Sequence, residues 1–338
     1  MLRQPGKAPS WRLGAWLSLA VLVLLLLSLL PFMTSSTELV RMRNALVLGE
    51  TAGVDFNWTP AQVPAGFLSE QGPASSLFAD EAQRLGLRSL PSDWDRVLLI
   101  SRHLLGSHAV LYGGAVQSDL DTTYRQIVNE GKGYCGDFVR VFTGLALASG
   151  MSVRPWAFSF DGFGGDGHIF LEIWNRELKR WQLVDIFNNY YFVDARGTIL
   201  SALEFRQALK TAPASLQLKP LFAGARPGYV IEAKAWNYYE RGLSQWYAVW
   251  GNNVFSYDRA VLGHQLTPLS RSLEQLNAIA QGLYPPLLLL DDAASRGDVA
   301  AMWRLHLHLR VVAGLGALCL LAGAWCMFKH KQTVKYAS

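Results

Sequence analysis

The chain has 338 residues, 51% of them hydrophobic and 17% charged, with a formal net charge of +5. Such an apolar composition excludes a disordered chain, and the length allows one large domain or two ordinary ones. Six of the basic residues lie in the two terminal tails, so the remainder is close to neutral and no nucleic-acid partner is expected.

Residues 13–32, "LGAWLSLAVLVLLLLSLLPF", carry no charge. As a helix they span about 30 Å, the thickness of a hydrocarbon core. The "PFMTSSTEL" that follows offers no small-x-small cleavage site, so an uncleaved anchor is expected rather than a signal peptide. Residues 311–328, "VVAGLGALCLLAGAWCMF", form a second uncharged run. Arg3, Lys7 and Arg12 precede the first run, and Lys329, Lys331 and Lys335 follow the second. Basic flanks stay inside, which places both termini in the cytoplasm and the intervening chain outside. In a bacterium that means an inner-membrane protein with a periplasmic domain. The expected organisation is a tail and transmembrane helix over 1–32, and an extracytoplasmic segment over 33–90. A core follows over 91–200, then an aromatic-rich, mainly helical extension over 201–302. A second transmembrane helix with its basic tail occupies 303–338.

Between the apolar runs, residues 38–49 and 76–86 read as short helices separated by irregular chain. Asn57-Trp58-Thr59 fits a glycosylation sequon and is read as chance. Residues 92–105 read as a helix with Ser92 as its cap and Asp93 and Asp95 in its first turn. A short helix over 122–129 ends at Gly131 and Gly133. Apolar spacing of Phe138, Val141, Phe142 and Leu145, closed by Gly150, marks the next helix. Strands follow over 153–160, 168–174 and 181–187, the last two joined as a hairpin by "NRELKR". Residues 202–210 and 275–283 read as helices. Trp236, Tyr239, Leu243, Trp246 and Trp250 fall at helical spacing, which predicts a docked helix across 235–250, with a groove wall or a membrane contact as the sharper alternative.

Cys319 and Cys326 lie in the second apolar run, as packing residues. That leaves Cys135 as the one thiol of the outer domain, without an intradomain disulfide partner. It sits within "NEGKGYCGDF", at the start of a helix. A thiol attacks as its thiolate, and a helix N-terminus favours the anion. Asp137 in the same turn disfavours a second negative charge, so a base is expected. His168 opens a strand after a glycine loop, and Asp185 lies on the next strand. Pairing Trp174 with Trp181 sets His168 and Asp185 on one face as diagonal neighbours, and the helix bearing Cys135 is expected to pack across that face. Asp166 and Asp194 are alternative carboxylates. Asn129 and Gln126 are side-chain candidates for an oxyanion hole, beside the backbone N–H of Cys135. Tyr134, Trp156 and Trp174 are candidates for a substrate groove. His306 and His308, two apart on a helix, face apart and cannot chelate together. No phosphate loop, paired-cysteine site or dinucleotide fingerprint is present, so neither a metal nor a cofactor is expected.

The segments "GKGYCGDFVRVFTGLALASGMSVRPW", "GDGHIFLEIW" and "RWQLVDIFNNYYF" together resemble the transglutaminase-like family, over roughly residues 93–194. That resemblance implies an α+β, papain-like core in which a helix bearing the cysteine packs on an antiparallel sheet bearing the histidine and aspartate. It implies Cys135 as nucleophile, His168 as general base and acid, and Asp185 as orienter. The implied chemistry is acyl transfer through a thioester, to an amine or to water, on a protein, peptide or glycan-linked envelope substrate. A cysteine peptidase, or a non-catalytic scaffold of an envelope or polysaccharide assembly, is the alternative.

Overall fold

A computed structural model describes residues 11–106, 113–114, 116, 118–224, 228–267 and 269–335. Arg3 and Lys7 lie outside the described residues. The helices are α1 (Trp11–Leu27), α2 (Ser36–Leu46), α3 (Ser76–Arg84), α4 (Asp93–Leu105), α5 (Leu120–Glu130), α6 (Cys135–Ala148), α7 (Ala202–Thr211), α8 (Glu232–Gly242), α9 (Val254–Asp258), α10 (Gly263–Leu266), α11 (Arg271–Ala280) and α12 (Arg296–Lys335). The strands are β1 (Val153–Ser159), β2 (Gly167–Asn175), β3 (Arg180–Val184), β4 (Tyr190–Val193), β5 (Gln217–Pro220), β6 (Trp246–Val249) and β7 (Leu287–Leu289). The class is α+β.

The main sheet has the order β3-β2-β1-β6-β7, with antiparallel neighbours throughout. Trp174 lies opposite Trp181, the register read from the alternating pattern. Both faces of the sheet are covered, so β1 is buried at every position. Side chains two apart share a face. One face carries Val153, Leu171, Ile173 and Val184, which pack against Phe138, Val141, Phe142 and Leu145 of α6. The other carries Trp156, Phe158, Phe170, Trp181 and Leu183, which pack against α7 and α8 through Phe205 and Tyr239.

One expectation changes here. The stripe from Trp236 to Trp250 is not one helix. Helix α8 ends at Gly242, which lies over the Phe158 ring so closely that a Cβ there would come within 2.2 Å of it. The chain then turns, and Trp246 opens β6 opposite Phe158. The spacing of these aromatics fits a helix, but Trp246 and Ala248 are the alternating inward residues of a strand. Within 201–302, β6 and β7 complete the main sheet beside β1. Segments before residue 90 join the same body. Leu48 bridges to Leu287, and Phe78 of α3 packs on α6.

Among the described residues one helical stretch, Ala293–Thr333, is long and apolar enough to cross a membrane by length and composition. The first apolar run forms a shorter helix, α1, followed by a 3-10 turn over Leu30–Met33. Helices α1 and α12 pack together, and Gly14 lets Cys326 approach closely. Large apolar side chains such as Leu17, Leu24, Leu318 and Leu321 remain exposed on both. His306 donates to Ala45 O at 2.7 Å through Nδ1, whereas His308 meets Ser28 Oγ at 3.0 Å, so the two rings do part.

The α7–α8 face holds a buried ion pair. Arg154 Nε lies 2.5 Å from Glu172 Oε2, and both side chains are nearly inaccessible. The same carboxylate accepts from Trp156 Nε1 at 2.6 Å and from Ala202 N at 2.5 Å. The Arg154 guanidinium stacks 4.1 Å from the Trp181 ring centroid and donates to Phe56 O. Glu172 thus ties β1, β2 and the start of α7 together. Removing it strands a buried cation. Glu172→Ala is expected to lower unfolding stability by about 3–5 kcal/mol, measured by denaturant titration in detergent; a loss below about 1 kcal/mol would contradict this account.

Candidate active site

Helix α5 ends at Gly131, which takes a left-handed conformation at φ 65°. A residue with a Cβ is strained there, so glycine sets the turn that leads into α6. Two residues after Gly133 the new helix begins at Cys135. Asp137 reaches back to accept from Tyr134 N at 2.9 Å and also holds Val116 N at 3.1 Å. Its carboxylate therefore fixes the loop that presents the thiol.

His168 stands at the start of β2 and is 3% exposed. Its Nε2 lies 2.6 Å from Asp185 Oδ2. With Nε2 so engaged, Nδ1 is the nitrogen left for the thiol. Asp185 follows β3 and is 1% exposed. Its Oδ2 also accepts from Tyr239 OH at 2.6 Å and from Asn188 Nδ2 at 3.0 Å, while Oδ1 accepts from Asn188 N at 3.1 Å. A backbone bridge to Tyr190 holds the residue in place.

The arrangement differs from expectation in one respect. Helix α6 packs on the face opposite His168 and Asp185, whose neighbours are Phe158, Phe170, Tyr238 and Tyr239. Only the N-terminus of α6 meets the end of β2, where the backbone of Ile169 also engages Cys135. The thiol and the imidazole thus meet around the end of the sheet and not across one face.

The electrostatics follow from these contacts. Burial pushes the Cys135 thiol up, but its hydrogen bond to His168, the His168 charge and the Ile169 backbone outweigh this and hold it below its ordinary value. The carboxylate that opposes the thiolate is Asp185. Burial disfavours the His168 cation, yet the Asp185 charge, its hydrogen bond and Cys135 raise it to about 10. Asp185 is lowered: burial opposes this, and His168, Tyr239 and the Asn188 N–H prevail. Tyr239 is raised well above its ordinary value by burial and by Asp185, so it stays a phenol and a donor. Both shifts favour a thiolate beside an imidazolium.

Cys135 and His168 open into a cavity of about 410 Å³. Its walls come from α2, α6, β6 and the segment around Tyr284. The loop leading into His168 is held from outside: Asn44 Nδ2 donates to Phe163 O at 2.8 Å, Arg41 donates to Gly162 O at 3.2 Å, and Gly162 N donates to Gln245 Oε1 at 2.9 Å.

Other candidates fall away from this centre. Asp166 is exposed beside Arg241, and Asp194 caps a turn with Thr198 N. Asn129 is exposed at the end of α5, and Gln126 lies one turn earlier; neither lines the cavity, because α5 turns away before α6 begins. Trp156 is 0% exposed and Trp174 meets Trp181 edge-on in the opposite core, so neither forms a groove. Tyr134 is 50% exposed beside the thiol but does not line the cavity. Two residues that grip Asp185 went unassigned in the sequence. Asn188 follows Asp185 by three, the spacing of a side chain closing on its own turn. Tyr239 lay within the aromatic stripe, which gave no sign of the carboxylate beneath it.

No curated protein and no solved structure matches the chain significantly. The family model of the transglutaminase-like superfamily matches residues 92–186, from the cap of α4 to just past Asp185. The chain therefore carries a transglutaminase-like superfamily domain over those residues.

Proposed function

We propose that the protein is a membrane-anchored thiol acyltransferase or amidohydrolase acting on an envelope substrate. The observation that carries this reading is the hydrogen-bonded series Cys135, His168, Asp185, placed where the cavity opens. In the reaction, Cys135 Sγ attacks an amide carbonyl and forms a tetrahedral intermediate. The His168 imidazolium gives its proton to the departing amine as the C–N bond breaks, leaving a thioester on Cys135. His168, now neutral, takes a proton from an incoming amine or water, which attacks the thioester and releases the thiolate. Asp185 keeps the imidazole oriented and stabilises its charged form. Backbone N–H groups in the first turn of α6 are the donors assigned to the developing oxyanion.

The site chemistry is tested without knowing the substrate. Iodoacetamide at neutral pH is expected to label Cys135 well ahead of Cys319 and Cys326, with His168→Ala slowing that labelling at least about tenfold. Cys135→Ala is expected to remove both the fast label and all turnover. A Cys135 that reacts no faster than a free thiol would point instead to a scaffold.

The anchoring reading rests on the exposed apolar surfaces of α1 and α12 and on the basic tails. Both ends are assigned to the cytoplasm of a bacterial inner membrane, with the catalytic domain outside. A fluorescent-protein fusion at the C-terminus should then fluoresce, and an alkaline phosphatase fusion within the 245–300 region should be active. The reverse pattern of reporters would refute this topology.

A further inference from the structure

The cavity beside Cys135 is rich in arginine. Arg43, Arg140 and Arg271 line it, and among the described residues its only lining carboxylate is Asp137. Asp137 is committed to the backbone N–H groups of Tyr134 and Val116. Arg140 and Arg271 have acidic partners of their own, Asp258 at 3.4 Å and Glu274 at 2.8 Å.

Arg43 is different. Its guanidinium donates to Asn44 Oδ1 through Nε at 3.1 Å and through a terminal nitrogen at 2.6 Å, and to Gln275 Oε1 at 3.3 Å. It lies 5.4 Å from the Tyr284 ring centroid. These partners are carboxamide oxygens and a ring face, which aim the group without neutralising it. Among the described residues no carboxylate pairs with it. A planar, pre-oriented guanidinium in a concave wall favours a carboxylate or phosphate, bound through two parallel N–H groups.

Building on the proposed thiol chemistry, we infer that this cavity is an anion subsite in which Arg43 holds a carboxylate or phosphate carried by the acyl substrate. The substrate class becomes an acidic one: the reacting amide belongs to a molecule with a fixed negative group a short distance from the carbonyl. Helix α2 places Arg43 at the cavity while Asn44, its neighbour, holds the loop before His168. Binding and chemistry are thus built on one short helix.

The test uses the full-length protein in detergent and a set of iodoacetamides that differ only at the tail. One series ends in a carboxylate, one in a phosphonate and one in a neutral amide, each at several linker lengths. At one linker length an anionic tail is expected to label Cys135 roughly tenfold faster than its neutral match, an advantage that fades as salt is raised. Arg43→Gln should abolish that advantage and leave the neutral rate unchanged. Arg43→Lys, which keeps the charge, should retain part of it. The larger Arg43-dependent gain, carboxylate or phosphonate, identifies the group. Fast neutral labelling with no anionic preference, or a preference that survives Arg43→Gln, would overturn the subsite while leaving the thiol chemistry standing. Slow labelling by every probe would overturn both.

Discussion

The contact between His168 and Asp185 is the constraint on which the site depends. It sets two opposite charges 2.6 Å apart in surroundings that exclude water. Such a pair repays its desolvation only when the remaining lone pairs and protons are satisfied. Here they are. Tyr239 and Asn188 complete the coordination of the carboxylate, and the imidazole turns its other nitrogen to Cys135. The thiol inherits its acidity from that arrangement. Burial alone would raise it.

Holding the pair takes elements from far along the chain. The hairpin of β2 and β3 brings His168 and Asp185 together through local register. Tyr239 arrives from α8, which Gly242 allows to lie directly on Phe158. The loop before His168 is clamped by Arg41 and Asn44 of α2, and by Gln245, which in turn meets Asp298 at the start of α12. Helices α2 and α12 both adjoin the apolar segments. The layer nearest those segments therefore positions the histidine and also walls the cavity.

Much of this was legible in the sequence, and the reason is locality. The helix of Cys135, the hairpin and its register depend on periodicities of a few residues, which survive in the sequence as alternating or helical patterns. What could not be read depends on long-range placement. Trp246 reads equally well at helical or strand spacing until Phe158 is known to lie opposite it. Trp156 looks like a groove residue until Glu172 and Arg154 close around it. Residue order carries no trace of which side of the sheet α6 takes. Arg43, in a helix outside the family-matched residues, had no pattern to mark it.

The most direct measurement is the ultraviolet absorbance of the Cys135 thiolate, titrated in the intact protein with Cys135→Ala as the reference. The account predicts that the thiolate forms below 9.0, the unperturbed thiol value. It should persist unchanged while the histidine loses its proton near pH 10. Because His168 beside Asp185 binds its proton more tightly in the fold, its contribution to stability is fully present below the usual histidine value of 6.5 and is lost as pH rises through about 10. In Asp185→Asn the thiolate should form only at higher pH, since the imidazolium has lost its partner. A Cys135 that ionises at or above 9.0 in the native protein would contradict the account.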